Sequence, residues 1–386
     1  MDYIKNDFLE NFDRELLKKS FCEVMGCDEA ALLVWDCQPV RGGLELASSI
    51  YRFTGKTLVS RKCIPVSVIL KIKKTVGGAS IDPEGMRFWN REALAYQTGF
   101  LANLPNGLSA PKCYGVLQNN AQETWIWIED LHDEFDGKWS EEHYAVAARQ
   151  LGVFNGAYLT IEPIPGAAWL SRDWLRKYVE GAAPIFGGDF LEREREIVQK
   201  FLPDELMVDY AQYWKTRHQF LDAIDHLPKC LCHQDAFRRN LFLQKKESGE
   251  LGISGIDWTY MGIATIGQEL APLVGMAIFE GDVSPIKISS FIDRILGCYL
   301  EGIREVGGNV DEDQVRFCLL ATWLYRYALG ALSELMPFLL DGVDPPPFVQ
   351  AFSEQENEFS EQIEFFHSQF RWLYSEAKRL LSTCRL

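Results

Sequence analysis

The stretch His233-Gln234-Asp235-Ala236-Phe237-Arg238-Arg239-Asn240, followed after a short interval by Ile256-Asp257-Trp258, decides how this chain is read. Asp235, Asn240 and Asp257 are oxygen-bearing side chains on two neighbouring segments. Leu231-Cys232-His233 reads as a short apolar approach and Asn240-Leu241-Phe242-Leu243 as a return strand, which leaves a polar loop with Asp235 at its tip. After a turn rich in Lys, Glu and Gly (Lys245 to Gly252), Ile253 to Trp258 reads as the paired strand that ends on Asp257. One hairpin is therefore expected to bring all three groups together.

Asp and Asn oxygens suit a hard cation such as magnesium, whereas zinc would call for His or Cys. Phosphoryl transfer from a nucleotide asks little covalent chemistry of a protein, because catalysis is mostly positioning and charge neutralisation. The donor set fits that task. Asp235 would accept the proton from an attacking hydroxyl, or orient it, while Asn240 and Asp257 hold Mg2+ against the phosphates. Taken singly, each is an ordinary turn polar, since Asp and Asn bond their own backbone in turns. The joint spacing is far harder to meet by accident.

With these residues in place, the chain resembles the aminoglycoside phosphotransferase and choline kinase-like superfamily, small-molecule kinases on the protein-kinase fold. Their pattern is H-x-D-x-x-x-x-N, then a hydrophobic residue and D-W or D-F. The usual Gly between His and Asp is Gln234 here. Gly267-Gln268-Glu269-Leu270-Ala271 is similar to the family's G-x-D-L-A, with Glu269 where Asp is more usual, and that acid is read as structural. The resemblance implies an α+β, two-lobed protein-kinase-like fold. Its N-terminal lobe (1–130) would be mainly β and bind nucleotide; its C-terminal lobe (131–386) would be mainly α and carry the catalytic hairpins and the acceptor site. It further implies ATP (or GTP) and Mg2+ as cofactors, and as acceptor a small-molecule hydroxyl, with cationic antibiotics and amine-bearing metabolites among the options.

A kinase of this fold needs a lysine on a strand for the nucleotide phosphates and a carboxylate on a helix to hold it. Pro65-Val66-Ser67-Val68-Ile69-Leu70-Lys71-Ile72-Lys73 is β-branched enough for a strand, and Ile69-Leu70-Lys71 resembles the family's V-L-K. Lys71 is the expected phosphate lysine; Lys73 shares its strand parity, and Lys74 falls on the opposite face. In Gly85 to Tyr96, the residues Phe88, Glu92, Ala95 and Tyr96 share a helical stripe, and the segment resembles the family's R-E-x-x-x-Y helix. Glu92 is thus the expected partner of Lys71. Upstream, Val40 to Leu46 and Ile50 to Phe53 read as strands around a small-residue turn, where the backbone amides of Ser48 and Ser49 would touch phosphate. Glu123 to Leu131 resembles the family's hinge strand, with the peptide groups of Ile128 and Asp130 expected to meet the base.

Composition sets the outer limits. The 386 residues are 47% hydrophobic and 13% aromatic, enough for a large core and two lobes. A formal charge of -16 argues against a nucleic-acid surface and is compatible with a cationic substrate. Ten cysteines are scattered, with only Cys230 and Cys232 close together, and neither a leader nor an apolar span of membrane length is read. A cytoplasmic protein with reduced thiols, and no membrane or nucleic-acid partner, is the expectation. Asp344-Pro345-Pro346-Pro347 separates two late helical stretches; Glu141 to Leu159 and Phe352 to Leu381 are read as helices. Two rival functions are weaker. A protein kinase should carry Asp-Phe-Gly and Ala-Pro-Glu, and a silent nucleotide-binding scaffold need not keep Lys, Glu, Asp, Asn and Asp all chemically competent.

Overall fold

A computed structural model describes residues 14–25, 31–40, 48–59, 62–75, 81–135, 138–188, 204–245, 249–331 and 356–384. The chain divides into two compact units. Unit 1 comprises 1–81, 87–104 and 109–133; unit 2 comprises 82–86, 105–108 and 134–386.

Unit 1 is built on β-branched and aromatic runs that pair as an antiparallel sheet. Its strands are β1 (Ala31–Pro39), β2 (Ser48–Val59), β3 (Lys62–Lys74), β5 (Cys113–Asn120) and β6 (Glu123–Glu129), in the order β1-β2-β3-β6-β5. Because side chains alternate along a strand, Val66, Val68, Leu70 and Ile72 of β3 enter one core while Lys71 and Lys73 share the other face. That core also takes Phe53, Trp127 and, from helix α1 (Arg14–Met25), Leu17 and Phe21. Each such side chain contributes roughly 1.5–3 kcal/mol by leaving water. The stripe beginning at Phe88 yields a shorter helix than its spacing suggests: α2 spans only Arg91–Gln97, and Asn90 before it is non-helical. Ser48 and Ser49, read as part of a turn, instead begin β2 in register with Lys73 and Ile72, because the pairing of Ile50 to Phe53 with β3 runs on through them. Of the strand read at Val40 to Leu46, residues 41–46 lie outside the described residues, as do Ala47 of the turn and Asp344 to Pro347.

Unit 2 contains α3 (Glu141–Thr160), α4 (Trp174–Glu180), α5 (Ala183–Phe186), α6 (Asp204–His226), α7 (Leu270–Phe279), α8 (Ile288–Glu305), α9 (Glu312–Leu324) and α10 (Glu356–Thr383). Tyr144, Ala148, Leu151 and Phe154 of α3 are all buried, as their spacing predicts. Helices α3 and α8 approach until backbone meets backbone. A Cβ at Gly152 would lie 2.0 Å from the Tyr299 carbonyl oxygen, and one at Gly302 2.0 Å from that of Arg149.

Two small sheets carry the loops of interest. The hairpin of β9 (Leu241–Lys245) and β10 (Leu251–Gly255) forms as read, with Leu108 of the two-residue strand β4 (Leu108–Ser109) at its side. The approach strand β8 (Lys229–Cys232) differs from the reading. It pairs with β11 (Gly262–Thr265), which also pairs in parallel with β7 (Ser171–Arg172), and not with β9. The His233–Asn240 segment therefore crosses from one sheet to the other, and two sheets, not one hairpin, bring its ends and Asp257 together.

Candidate active site

The crossing loop is fixed by its backbone. Gln234 sits at φ 68°, the left-handed region where glycine is at ease and other residues are strained by roughly 1 kcal/mol. Glu269, fully buried just before α7, compensates: its carboxylate accepts from the backbone N–H of His233 (2.6 Å) and of Gln234 (2.9 Å). Burial pushes the Glu269 carboxyl up to about 7, against the opposing pull of those two N–H groups. Behind it, Asn155 donates to the Leu231 carbonyl (2.8 Å) and accepts from the Tyr299 hydroxyl (2.8 Å).

His233 is a strut. Its Nε2 lies 2.8 Å from the Ile256 carbonyl oxygen and its Nδ1 accepts from the Asp235 N–H (3.3 Å), which together require the neutral tautomer protonated on Nε2. With both nitrogens committed, the ring has none left for a metal. Among the described residues no group of three His, Cys, Asp or Glu side chains is placed to hold a metal ion.

Asp235, Asn240 and Asp257 are brought together around this strut. The Asn240 amide nitrogen donates to both the backbone oxygen and the Oδ2 of Asp235, each at 3.0 Å, which turns its amide oxygen away from Asp235. The Asn240 carbonyl accepts from the Ile256 N–H (2.9 Å), the residue before Asp257. Asp257 is itself left-handed at φ 61°, a conformation Asp tolerates, and its Oδ1 accepts from the Thr259 hydroxyl at 2.7 Å. An amide oxygen and a carboxylate are the hard donors Mg2+ prefers, and two protein ligands suffice when phosphate and water complete the octahedron.

Arg326 was not singled out by the sequence. Its guanidinium donates to Asp235 Oδ1 (2.6 Å) and to the Gln234 carbonyl (2.5 Å), with side-chain exposures of 11% for Arg326 and 16% for Asp235. Burial works against its charge, yet Tyr327, Asp235 and Tyr178 together hold its pKa above the ordinary value. It projects from a π-helical turn, Tyr325–Ala331, a wide turn often found where a helix serves a site. A lone arginine in the apolar run Trp323-Leu324-Tyr325-Arg326-Tyr327-Ala328-Leu329 was the available signal, because a charge among buried residues must find a partner.

In unit 1, Lys71 Nζ is 2.6 Å from Glu92 Oε2, with side-chain exposures of 7% and 1%. Lys73 reaches the same oxygen at 3.8 Å from a more buried position. Ile128 lies inside the sheet, opposite Ile69 and Cys113, and the next N–H, that of Glu129, bonds the Lys112 carbonyl at 2.9 Å. Asp130 follows the strand, its carboxylate forked onto Arg52 at 2.8 and 3.0 Å. Ser49 is exposed on β2.

Several acids of unit 2 that could meet a cationic acceptor already have partners. Glu280 pairs with Arg239 (2.9 Å), and Asp282 accepts from the Tyr144 hydroxyl (2.7 Å) beside Lys138 (3.6 Å). Glu134 is exposed, Asp133 belongs to unit 1, and Asp136 lies outside the described residues. Trp258 is core, its indole N–H bonded to the Gly255 carbonyl, whereas Tyr260 packs on Trp174 (centroids 5.5 Å apart).

Residues 135–295, the span that holds Asp235, Asn240, Asp257 and Glu269, match the model of the phosphotransferase enzyme family. The match covers less than half of the chain. One solved structure agrees on the fold, and two more are similar in part. A GDP complex of an aminoglycoside 2'-phosphotransferase variant is 12% identical at a TM-score of 0.50, covering 95% of this chain and 100% of its own. A spectinomycin phosphotransferase with ADP and spectinomycin is 16% identical (TM-score 0.46; 86% and 93% covered). An amicoumacin kinase with AMP-PNP and Ca2+ is 13% identical (TM-score 0.45; 83% and 89% covered). No curated protein matches the chain. The α+β, protein-kinase-like architecture is thus shared, and no described helix is long and apolar enough to cross a membrane.

Proposed function

We propose that this chain transfers the γ-phosphoryl group of ATP or GTP to a hydroxyl of a small molecule, with Mg2+ as the required cation. The observation that carries this reading is the Asn240 side chain, whose nitrogen fixes Asp235; its oxygen would take the cation together with Asp257. Base and metal ligands are thereby locked at one loop. Bound Mg2+ would neutralise charge on the phosphates. Asp235 would receive the hydroxyl hydrogen bond, its orientation set by Asn240 and Arg326. Asp235 would orient the hydroxyl and take its proton late, as a loose phosphoryl-transfer transition state permits. Lys71, held by Glu92, would supply the phosphate-binding cation of unit 1.

Nucleotide consumption with Mg2+ against a panel of small alcohols tests this, with calorimetry of nucleotide binding alongside. Asp235→Ala should lose turnover, by on the order of 10²-fold or more, with nucleotide affinity retained. Asp257→Ala should lose Mg2+-dependent affinity itself. Equal Mg2+-nucleotide affinity in wild type and Asp257→Ala would remove the metal assignment.

A further inference from the structure

Asp235 has both carboxylate oxygens engaged and must still meet a hydroxyl. Oδ1 accepts from Arg326 (2.6 Å) and Oδ2 from Asn240 (3.0 Å). A carboxylate offers about four lone-pair sites, so one donor on each oxygen leaves room for the acceptor hydroxyl. Reacting atoms in a productive complex lie roughly 3–3.5 Å apart, which would set the Asp235 carboxylate and the oxygens of the transferred phosphoryl group on two sides of one hydroxyl oxygen. Both are anionic, and across so short a span in a partly buried setting they repel. A cation bonded to that carboxylate is a close neighbour of both.

Arg326 is that cation. Its Nη1 donates to the Gln234 carbonyl and its Nη2 to Asp235, which takes two of the five N–H groups of the fork; Nη2 carries a second hydrogen beside the one given to Asp235. With side-chain exposures of 11% and 16%, Arg326 and Asp235 keep an accessible edge. The π-helical turn Tyr325–Ala331 that carries Arg326 is firmly seated. Tyr325 is fully buried with its hydroxyl 3.5 Å from that of Thr216, and a Cβ at Gly330 would fall 2.2 Å from the Tyr178 ring, so the turn lies directly on α4. The guanidinium carbon itself lies 4.7 Å from the Trp174 ring centroid. A donor packed in this way needs no reorganisation when charge develops, which is what makes electrostatic stabilisation of a transition state effective.

We propose that Arg326 is a catalytic residue whose guanidinium bridges Asp235 and an oxygen of the phosphoryl group in transfer. This rests on the phosphotransferase reading above. In the step, the acceptor oxygen forms the bond to the γ-phosphorus, the bond from that phosphorus to the bridging oxygen breaks with its electron pair going to the nucleoside diphosphate, and the hydroxyl proton passes to Asp235. Arg326 keeps its proton throughout, since a guanidinium does not deprotonate in proteins. A loose transition state spreads charge over the equatorial phosphoryl oxygens, and an arginine placed on them raises turnover by on the order of 10³–10⁵-fold in other phosphoryl-transfer enzymes.

The test is calorimetry of Mg-ADP binding to the full chain with and without tetrafluoroaluminate, a planar stand-in for the phosphoryl group in transit, with water in the acceptor's place. Wild type should bind Mg-ADP about tenfold tighter or more when fluoroaluminate is present. Arg326→Met should bind Mg-ADP alone as wild type does and lose most of that gain, whereas Asp235→Asn, which keeps Arg326, should retain it. An arginine that merely aims Asp235 would group the two variants together. Equal gain in wild type and Arg326→Met, equal loss in Arg326→Met and Asp235→Asn, or no gain in wild type while Mg-ADP binds, overturns the proposal and leaves the phosphotransferase reading intact. Should Arg326→Met not fold, Arg326→Lys carries the comparison: one ammonium does not span two partners as the planar fork does, so the gain should fall several-fold, and a full gain overturns the proposal. Absence of both Mg-ADP and Mg-ATP binding overturns the proposal and the phosphotransferase reading together.

Discussion

Two buried carboxylates show how much at the residue scale depends on what each is asked to hold. Glu269 carries its proton to about 7 because burial outweighs the two backbone N–H groups it accepts, whereas its ordinary value is 4.5. A carboxyl whose folded pKa is raised contributes stability that is complete below the unfolded value and is lost as pH rises through the folded one. Glu269 should therefore subtract ~3 kcal/mol between about pH 4.5 and 7. Urea unfolding of wild type across that window should show the slope, and Glu269→Gln should flatten it while lowering stability at acid pH, since its amide N–H would face a backbone N–H. Parallel pH curves for the two proteins would contradict the assignment. Glu92 poses the opposite case. It serves Lys71 and Lys73 at once, so Glu92→Gln takes a carboxylate from two buried ammonium groups, a loss of roughly 3–5 kcal/mol. Lys71→Met should cost less stability, because Lys73 still reaches the carboxylate, yet it should raise the KM for nucleotide. A thermal melt paired with nucleotide kinetics on both variants separates the two effects.

At the scale of elements, the α3–α8 contact depends on two missing side chains. With a Cβ at Gly152 or Gly302 falling 2.0 Å from a backbone oxygen, neither helix can yield locally, and the pair must separate. Either substitution to Ala should cost on the order of 3 kcal/mol despite alanine's better helix propensity, through loss of close packing. Because Tyr299 lies at that crossing and bonds Asn155 behind the catalytic loop, activity should fall along with the melting temperature. Unchanged stability in both variants would show the helices free to slide. The same elements mark what the sequence discloses. Strand identity was legible for β3, β6, β9 and β10 from alternation and β-branching, but the partner of β8 was not, since pairing with β11 is set by packing behind the loop, which local pattern does not carry. The φ > 0 position at Gln234 was legible only as a departure from a family glycine. Arg326 lies 91 residues from Asp235, and nothing in its own neighbourhood names that partner.

For the whole molecule, the consequence is that nucleotide binding must appear as stability of the entire chain. Whatever binds the folded state alone stabilises it by RT ln(1 + [L]/Kd), about 2.7 kcal/mol at a hundredfold excess over Kd. Spread over the unfolding entropy of a chain of 386 residues, that is a rise in melting temperature of about 3 °C. In the proposed site Asn240 and Asp257 would supply only two protein oxygens and the phosphates would complete the metal's shell, so the rise should need both Mg2+ and nucleotide. Mg2+ alone should shift the melt little, and chelation should abolish the nucleotide's effect. Asp257→Ala should lose the synergy, while Asp235→Ala, at the residue proposed to meet the acceptor and not the metal, should keep it. A melt that responds to nucleotide equally with and without Mg2+ would mean that Lys71 and its surroundings bind the phosphates unaided, and Asp257 would then be a turn residue and nothing more.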